Sequence, residues 1–264
     1  MSQKFEEMSD NAITQSGIAR VIPCRELDVF DSFKWISLAI NDFMKAKTIS
    51  LVYGLIFTLL PLFIFYLVAT TSWYLVIFPA MVCFMLIGPY LAAGLYDVSW
   101  QFEKNHKPSL RHSLKAMSRN AVNEWGFGIM LMILMIFWLR VASIIHALYP
   151  SYLDPNLSNL WPFLAIGTVV GIFFTTLVFF LSAFTQPILL ERRVDLATAV
   201  LTSMNAVWRN KLPMFVWACV IALSVLIGFM TFFVAFLVLM PIIGYATWHG
   251  YIDTIDIKRE RTYE

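Results

Sequence analysis

The chain has 264 residues, of which 59% are hydrophobic and 14% charged, with a mean hydropathy of +0.72, whereas soluble domains run about 45–50% apolar and roughly 25% charged. Water is therefore excluded as its main solvent. A net charge of +2 gives no reason to expect a nucleic-acid partner.

The apolar residues come in runs longer than the roughly 20 needed to cross a hydrocarbon core. Segments such as Ile129 to Phe137 are apolar on every side, which rejects a transmembrane barrel of alternating strands. The expected fold class is an all-α membrane protein. Residues 1–30 read as a polar, flexible N-terminal segment. The stretch to about Thr48 shows no apolar run followed by a cleavage site, so no signal peptide is expected and the first helix directs insertion.

Residues 31–252 read as one transmembrane domain and 253–264 as a charged tail. Spans are predicted at about 49–70, 73–98, 124–148 and 161–190. The apolar run from 212 to 252 would make one helix roughly 60 Å long, about twice what a bilayer needs, so it is divided into 212–228 and 231–252 with Gly228 at the tip. Charge tests this count, because lysine and arginine gather in cytoplasmic loops. Lys34, Lys45 and Lys47 precede the first span. Lys104, Lys107, Arg111, Lys115 and Arg119 follow the second. Arg192, Arg193, Arg209 and Lys211 follow the fourth, and Lys258, Arg259 and Arg261 lie in the tail. The alternate connections carry none. Six spans put every basic segment on one side, with both ends in the cytoplasm.

Each pair of spans is preceded by a short amphipathic segment: Phe33, Ile36, Ile40 and Phe43; Leu110, Leu114, Met117 and Ala121; Leu196, Val200, Ser203 and Val207, this last opened by Asp195 as N-cap. Helices are expected near 31–46, 109–121 and 195–208, flat in the interface. A proline recurs in each second span, at Pro89, Pro187 and Pro241. The pattern is three copies of an interfacial helix plus a transmembrane hairpin, an internal repeat. The bland alternative is that juxtamembrane helices and prolines are common, and Pro61 and Pro79 have no counterparts.

Polar side chains gather at the ends of the even-numbered spans: Tyr90, Tyr96 and Asp97; Thr185 and Gln186; Tyr245, Thr247 and His249. The nearby prolines free the carbonyls of Met85, Ala183 and Leu237. If the repeats ring an axis, these groups face one vestibule; otherwise they satisfy each other in packing. Arg140, sixteen residues from Glu124 and so about 24 Å along the helix, reads as a charge that snorkels to outer headgroups or pairs with Asp154. Gly167 and Gly171 form a GxxxG packing motif. Cys24, Cys83 and Cys219 make no CxxC pair, and no metal site or cofactor is predicted. No Ser/His/Asp set, phosphate loop or HExxH is present, so the expectation is not an enzyme.

Several blocks are familiar: Gly88-Pro-Tyr-Leu-Ala-Ala-Gly-Leu-Tyr-Asp-Val-Ser, Glu103, Pro108-Ser-Leu, Trp138-Leu-Arg-Val-Ala, Gln186-Pro-Ile-Leu-Leu-Glu with Asp195 and Thr198-Ala-Val, and Pro241-Ile-Ile-Gly-Tyr-Ala-Thr-Trp-His. Over residues 30–252 the chain resembles a bacterial domain-of-unknown-function family of predicted integral membrane proteins. Where members read Gly-His-Ala-Thr-Trp-His this chain has Tyr245, so an idea of two histidine ligands loses a partner. The resemblance implies a multi-pass protein of the bacterial inner membrane. Labels on some members link them to cytochrome c oxidase, which implies a respiratory oxidase as a partner. The functional expectation is a non-enzymatic accessory or scaffold protein in contact with membrane lipids and a membrane-protein partner or a second copy. The alternative is a transporter or channel for a small solute or lipid.

Overall fold

A chain that is apolar over twenty residues at a stretch must satisfy its own backbone, and the local solution is the helix. The computed structural model describes residues 21–71, 77–148, 157–192 and 194–255. Ten helices lie in these segments: α1 (Asp31–Lys45), α2 (Lys47–Thr71), α3 (Ile77–Glu103), α4 (Leu110–Ala116), α5 (Ala121–Leu148), α6 (Leu157–Ser182), α7 (Thr185–Glu191), α8 (Leu196–Arg209), α9 (Lys211–Met230) and α10 (Phe236–Thr254). Four stretches, Lys47–Thr70, Ala121–Leu148, Leu160–Glu191 and Lys211–Met230, are long and apolar enough to cross a membrane.

Several boundaries differ from the sequence reading: the helix of the second span runs on to Glu103, the helix expected near 109–121 ends at Ala116, and the last begins at Phe236. The predicted span 161–190 is interrupted by a turn at Ala183 and Phe184, because Pro187 cannot donate to a helical carbonyl and is tolerated only in the first turn of a new helix. Ser203 of α8 mends the break: its hydroxyl accepts from the Phe184 N–H at 3.1 Å and donates to the Phe180 carbonyl at 3.0 Å. Gly228 is not the tip of the last turn. It lies inside α9, where a Cβ would overlap the Phe236 ring, and the chain reverses over residues 231–235 through Phe232 and Phe233 at φ 49° and 68°. Aromatic residues in that left-handed region carry strain, and here the packing of Phe229, Phe233 and Phe236 rings on one another holds the turn.

α3, α7 and α10 touch one another and form the centre. α2 packs on α10 and α5 on α3, while α1 lies on α10, α4 on α3 and α8 on α6 and α7. The contact of α2 with α10 is closest at Gly54, where any Cβ would overlap the Leu237 carbonyl, the one that Pro241 leaves without a helical donor. α1 buries Ser32, Trp35, Ala39 and Asp42 and leaves Phe30, Phe33, Ile40 and Met44 exposed. Asp195 caps α8 by accepting from the Thr198 N–H and hydroxyl, and those bonds hold its carboxyl below the usual range.

Part of the segment expected to be flexible is instead a strap. Ile22 N–H donates to Thr202, Leu27 N–H to Asn210, Arg25 N–H to the Thr254 carbonyl, and Asn210 returns a bond to the Arg25 carbonyl. Cys24 bridges to Ile255, and burial pushes its thiol up. Nothing in the local sequence signals this, because every partner is contributed by a residue about 180 or more positions away.

Gly54→Ala is expected to destabilise the protein by about 1–3 kcal/mol through overpacking against backbone. Gly167→Ala, where a Cβ meets no atom within 4 Å, should leave the monomer's melting temperature in mild detergent unchanged. A tolerated Gly54→Ala would mean that α2 does not sit on α10 at this point.

Candidate functional site

The last three turns of α10 are buried on nearly all sides: Gly244, Tyr245, Ala246, Thr247, Trp248, Gly250, Tyr251 and Thr254. A helix in that position can keep polar side chains only if neighbours answer them. Asp42 of α1 does so for His249, whose Nε2 lies 2.8 Å from Oδ2. The same oxygen accepts from the Ser99 hydroxyl of α3 at 2.8 Å, so one carboxylate joins three helices. Tyr245 bonds to Ser50 at 2.8 Å, and Tyr251 donates to Glu191 of α7 at 2.5 Å.

Around α3 a second set is built the same way. Asp97, with no exposed surface, accepts from Gln101 at 2.8 Å and meets His112 Nδ1 of α4 at 2.8 Å. The His112 ring stacks on Trp100 at 5.7 Å. Ser113 donates to the Gly94 carbonyl and takes the Tyr53 hydroxyl, both at 2.6 Å. These bonds form a closed polar layer across α1, α2, α3, α4, α7 and α10.

Above this layer lies a cavity of about 570 Å³ between α3, α5, α6 and α10. Gly88, Ala92 and Gly244 leave the room, Leu131 and Met135 are among its apolar walls, and Tyr96, Gln186 and Thr247 stand at the end nearest the layer. Tyr96 and Thr247 hydrogen-bond to each other, and Thr247 also donates to the Ile243 carbonyl at 2.8 Å. Gln186 is 3% exposed, and its amide oxygen and nitrogen have no hydrogen-bond partner among the described residues.

The residues expected to share one vestibule therefore separate. Asp97, Tyr245 and His249 belong to the closed layer, and Tyr96, Gln186 and Thr247 to the cavity wall. Tyr90 stacks on Trp125 at 6.1 Å, and Thr185 donates to the Leu181 carbonyl. Pro89 lines the cavity, while Pro187 and Pro241 mark the helix break and the α2 crossing described above. Arg140 is exposed on α5, and Asp154 lies outside the described residues. Gly167 and Gly171 face open space on α6. Sequence reasoning missed Asp42, Ser99, His112 and Glu191, and it also missed Glu124, which is 3% exposed with neither carboxylate oxygen hydrogen-bonded among the described residues. A polar residue on the buried stripe of an otherwise amphipathic helix, such as Asp42 beside Ala39 and Trp35, is the signal that could have found the first of these.

Removing Asp42 leaves the buried Ser99 hydroxyl and the partly buried His249 without their acceptor. Asp42→Ala should cost about 1–3 kcal/mol, the range for leaving a buried polar group unanswered. Unfolding of the purified protein measures it, and a double-mutant cycle with His249→Phe should return a coupling well above zero. Additive losses would separate the two residues.

No curated protein and no solved structure matches the chain. Residues 77–191, which supply α3 to α7 and with them most of the cavity wall, match the family model Predicted integral membrane protein (DUF2189), so over this segment the chain is similar to that family of integral membrane proteins.

Proposed function

We propose that the chain crosses the bacterial inner membrane six times with both ends in the cytoplasm, as three units of an interfacial helix and a hairpin, and that it serves as a non-enzymatic scaffold or accessory protein. Charge supports the topology: every cluster of lysine and arginine falls on one side only if α3 and α10 cross as well as the four stretches named above. The repeat is supported by the contacts of α4 on α3, α8 on α6 and α7, and α1 on α10, in which each short helix rests on the second helix of the unit before it and the first unit closes on the last.

The observation that carries the functional reading is the closed polar layer. A path for a small solute needs polar groups turned toward water from end to end. Here Asp42 pairs with His249, Asp97 with His112, Tyr245 with Ser50 and Tyr251 with Glu191, so each is answered by protein. A surface suited to partnership is α6, where Val169, Ile172 and Phe173 are more than 60% exposed beside the open Gly167 and Gly171. Small residues next to an apolar flank allow a second membrane helix to approach closely.

Single-cysteine variants test both parts. A cysteine placed after Lys258 should react with a charged maleimide only from the cytoplasmic side. A cysteine at Thr247 should stay unreactive in sealed inverted vesicles, and rapid labelling there would reveal an aqueous vestibule and favour transport over scaffolding. A photo-crosslinking residue at Val169 or Phe173 should give a discrete protein adduct in native membranes.

Arg140, exposed on α5, is read as anchoring the outer end of that span. Lysine also snorkels, so Arg140→Lys should retain membrane level and partner cross-linking, and Arg140→Leu should lower yield modestly. Loss of cross-linking in Arg140→Lys at normal expression would show that the guanidinium recognises something itself.

A further inference from the structure

A buried amide without partners is costly, and Gln186, which has none among the described residues, stands at the polar end of a cavity large enough for a ligand. Cavities of about 300–1,000 Å³ are the usual size for small-molecule sites, and this one measures about 570 Å³. None of its described lining residues is a carboxylate, a lysine, an arginine or a histidine. A phosphate or ammonium placed there would be desolvated without a counter-charge, so the occupant's head must be neutral. The free groups of Gln186 are one acceptor and one donor pair, which fits a head that both donates and accepts, a hydroxyl or a hydroxyl-bearing ester. Tyr96 and Thr247 are already occupied with each other and with Ile243.

The remainder of the wall fits an apolar body. On α5 it runs from Phe127 to Trp138, about 17 Å by helix rise, and Leu131, Leu134, Met135 and Met240 supply its middle. Methionine adapts to an irregular chain better than branched side chains do. α6 and α10 face the cavity without extensive packing on each other, which leaves a side through which a molecule already dissolved in the bilayer can enter.

We propose that this cavity binds one neutral, single-chain lipid of the monoacylglycerol kind, its tail between α5, α6 and α10 and its glycerol hydroxyls on the Gln186 amide. The proposal is independent of whether α6 docks a partner.

The full chain, purified in mild detergent and stripped of lipid, should gain thermal stability in a saturable way with monooleoylglycerol and not with oleoyl-lysophosphatidic acid, which has the same tail and a phosphate. A monoacylglycerol carrying a diazirine near the tail end should label α5 between Leu131 and Trp138, or Met240. Gln186→Leu should fold with an unchanged or higher melting temperature when lipid-free, since an unanswered amide has been removed, and should bind monooleoylglycerol at least tenfold more weakly. Ala92→Trp, which fills the cavity and keeps Gln186, should abolish the labelling, and it carries the test if Gln186→Leu does not fold. Equal stabilisation by the phosphate-bearing lipid, unaltered binding in both variants, or no stabilisation by either lipid would overturn the proposal, the last pointing to water as the partner of Gln186.

Discussion

One carboxylate, Asp42, does the work of a joint. It sits on the buried stripe of a short helix and accepts from α3 through Ser99 and from α10 through His249. Without it, α1 would present Trp35 and Ala39 to α10 with little to fix its register, since apolar contact is non-directional. Two short, charge-assisted bonds to one oxygen set that register, and Trp35 adds a third by donating to Asp253 at 3.1 Å. The positions of α2, which follows α1 directly, and of the Gly54 crossing depend on where α1 is held. The layer of tyrosine, histidine and carboxylate bonds spreads from this point to α4 and α7.

Much of the helical plan could be read in the sequence because it is written in local composition. The apolar stretches correspond to helices, and α1 and α8 end within a residue or so of the expected positions, while the helix expected near 109–121 ends at Ala116. What the pattern could not supply was pairing at long range. Asp42 and His249 are 207 positions apart, and Ile22 and Thr202 are 180 apart. Hydrophobic periodicity reports which side of a helix avoids water and says nothing about which distant residue will answer a polar one. The same limit explains the glycines. Gly167 and Gly171 carry a recognisable spacing and touch nothing, whereas Gly54 and Gly228 have no motif around them and sit where backbone or ring comes closest. The break at Ala183 and Phe184 was half visible, through Pro187, but the serine that mends it belongs to another helix.

The division of the expected vestibule into a closed layer and an apolar cavity has a simple physical origin. Polar groups near the ends of α3 and α10 could reach partners on α1 and α4, which lie beside them, and low dielectric strengthened those bonds once formed. Farther along the same helices no short helix lies alongside among the described residues, so Gly88, Ala92 and Gly244 leave space, and Gln186 brings a polar group with no described partner to its edge. Prolines contribute differently in each case: one lines the space, one ends a helix, and one exposes a carbonyl to a glycine.

The closing of α1 on α10, with Arg25 bonded to Thr254 and Cys24 beside Ile255, has a consequence for biosynthesis. Ser99 can answer Asp42 after 57 further residues, but His249 and Asp253 answer Asp42 and Trp35 only 207 and 218 positions later. During that interval the buried stripe of α1 is only partly covered. The seating of α1 is therefore among the last events of assembly, and it reports that α10 is in place.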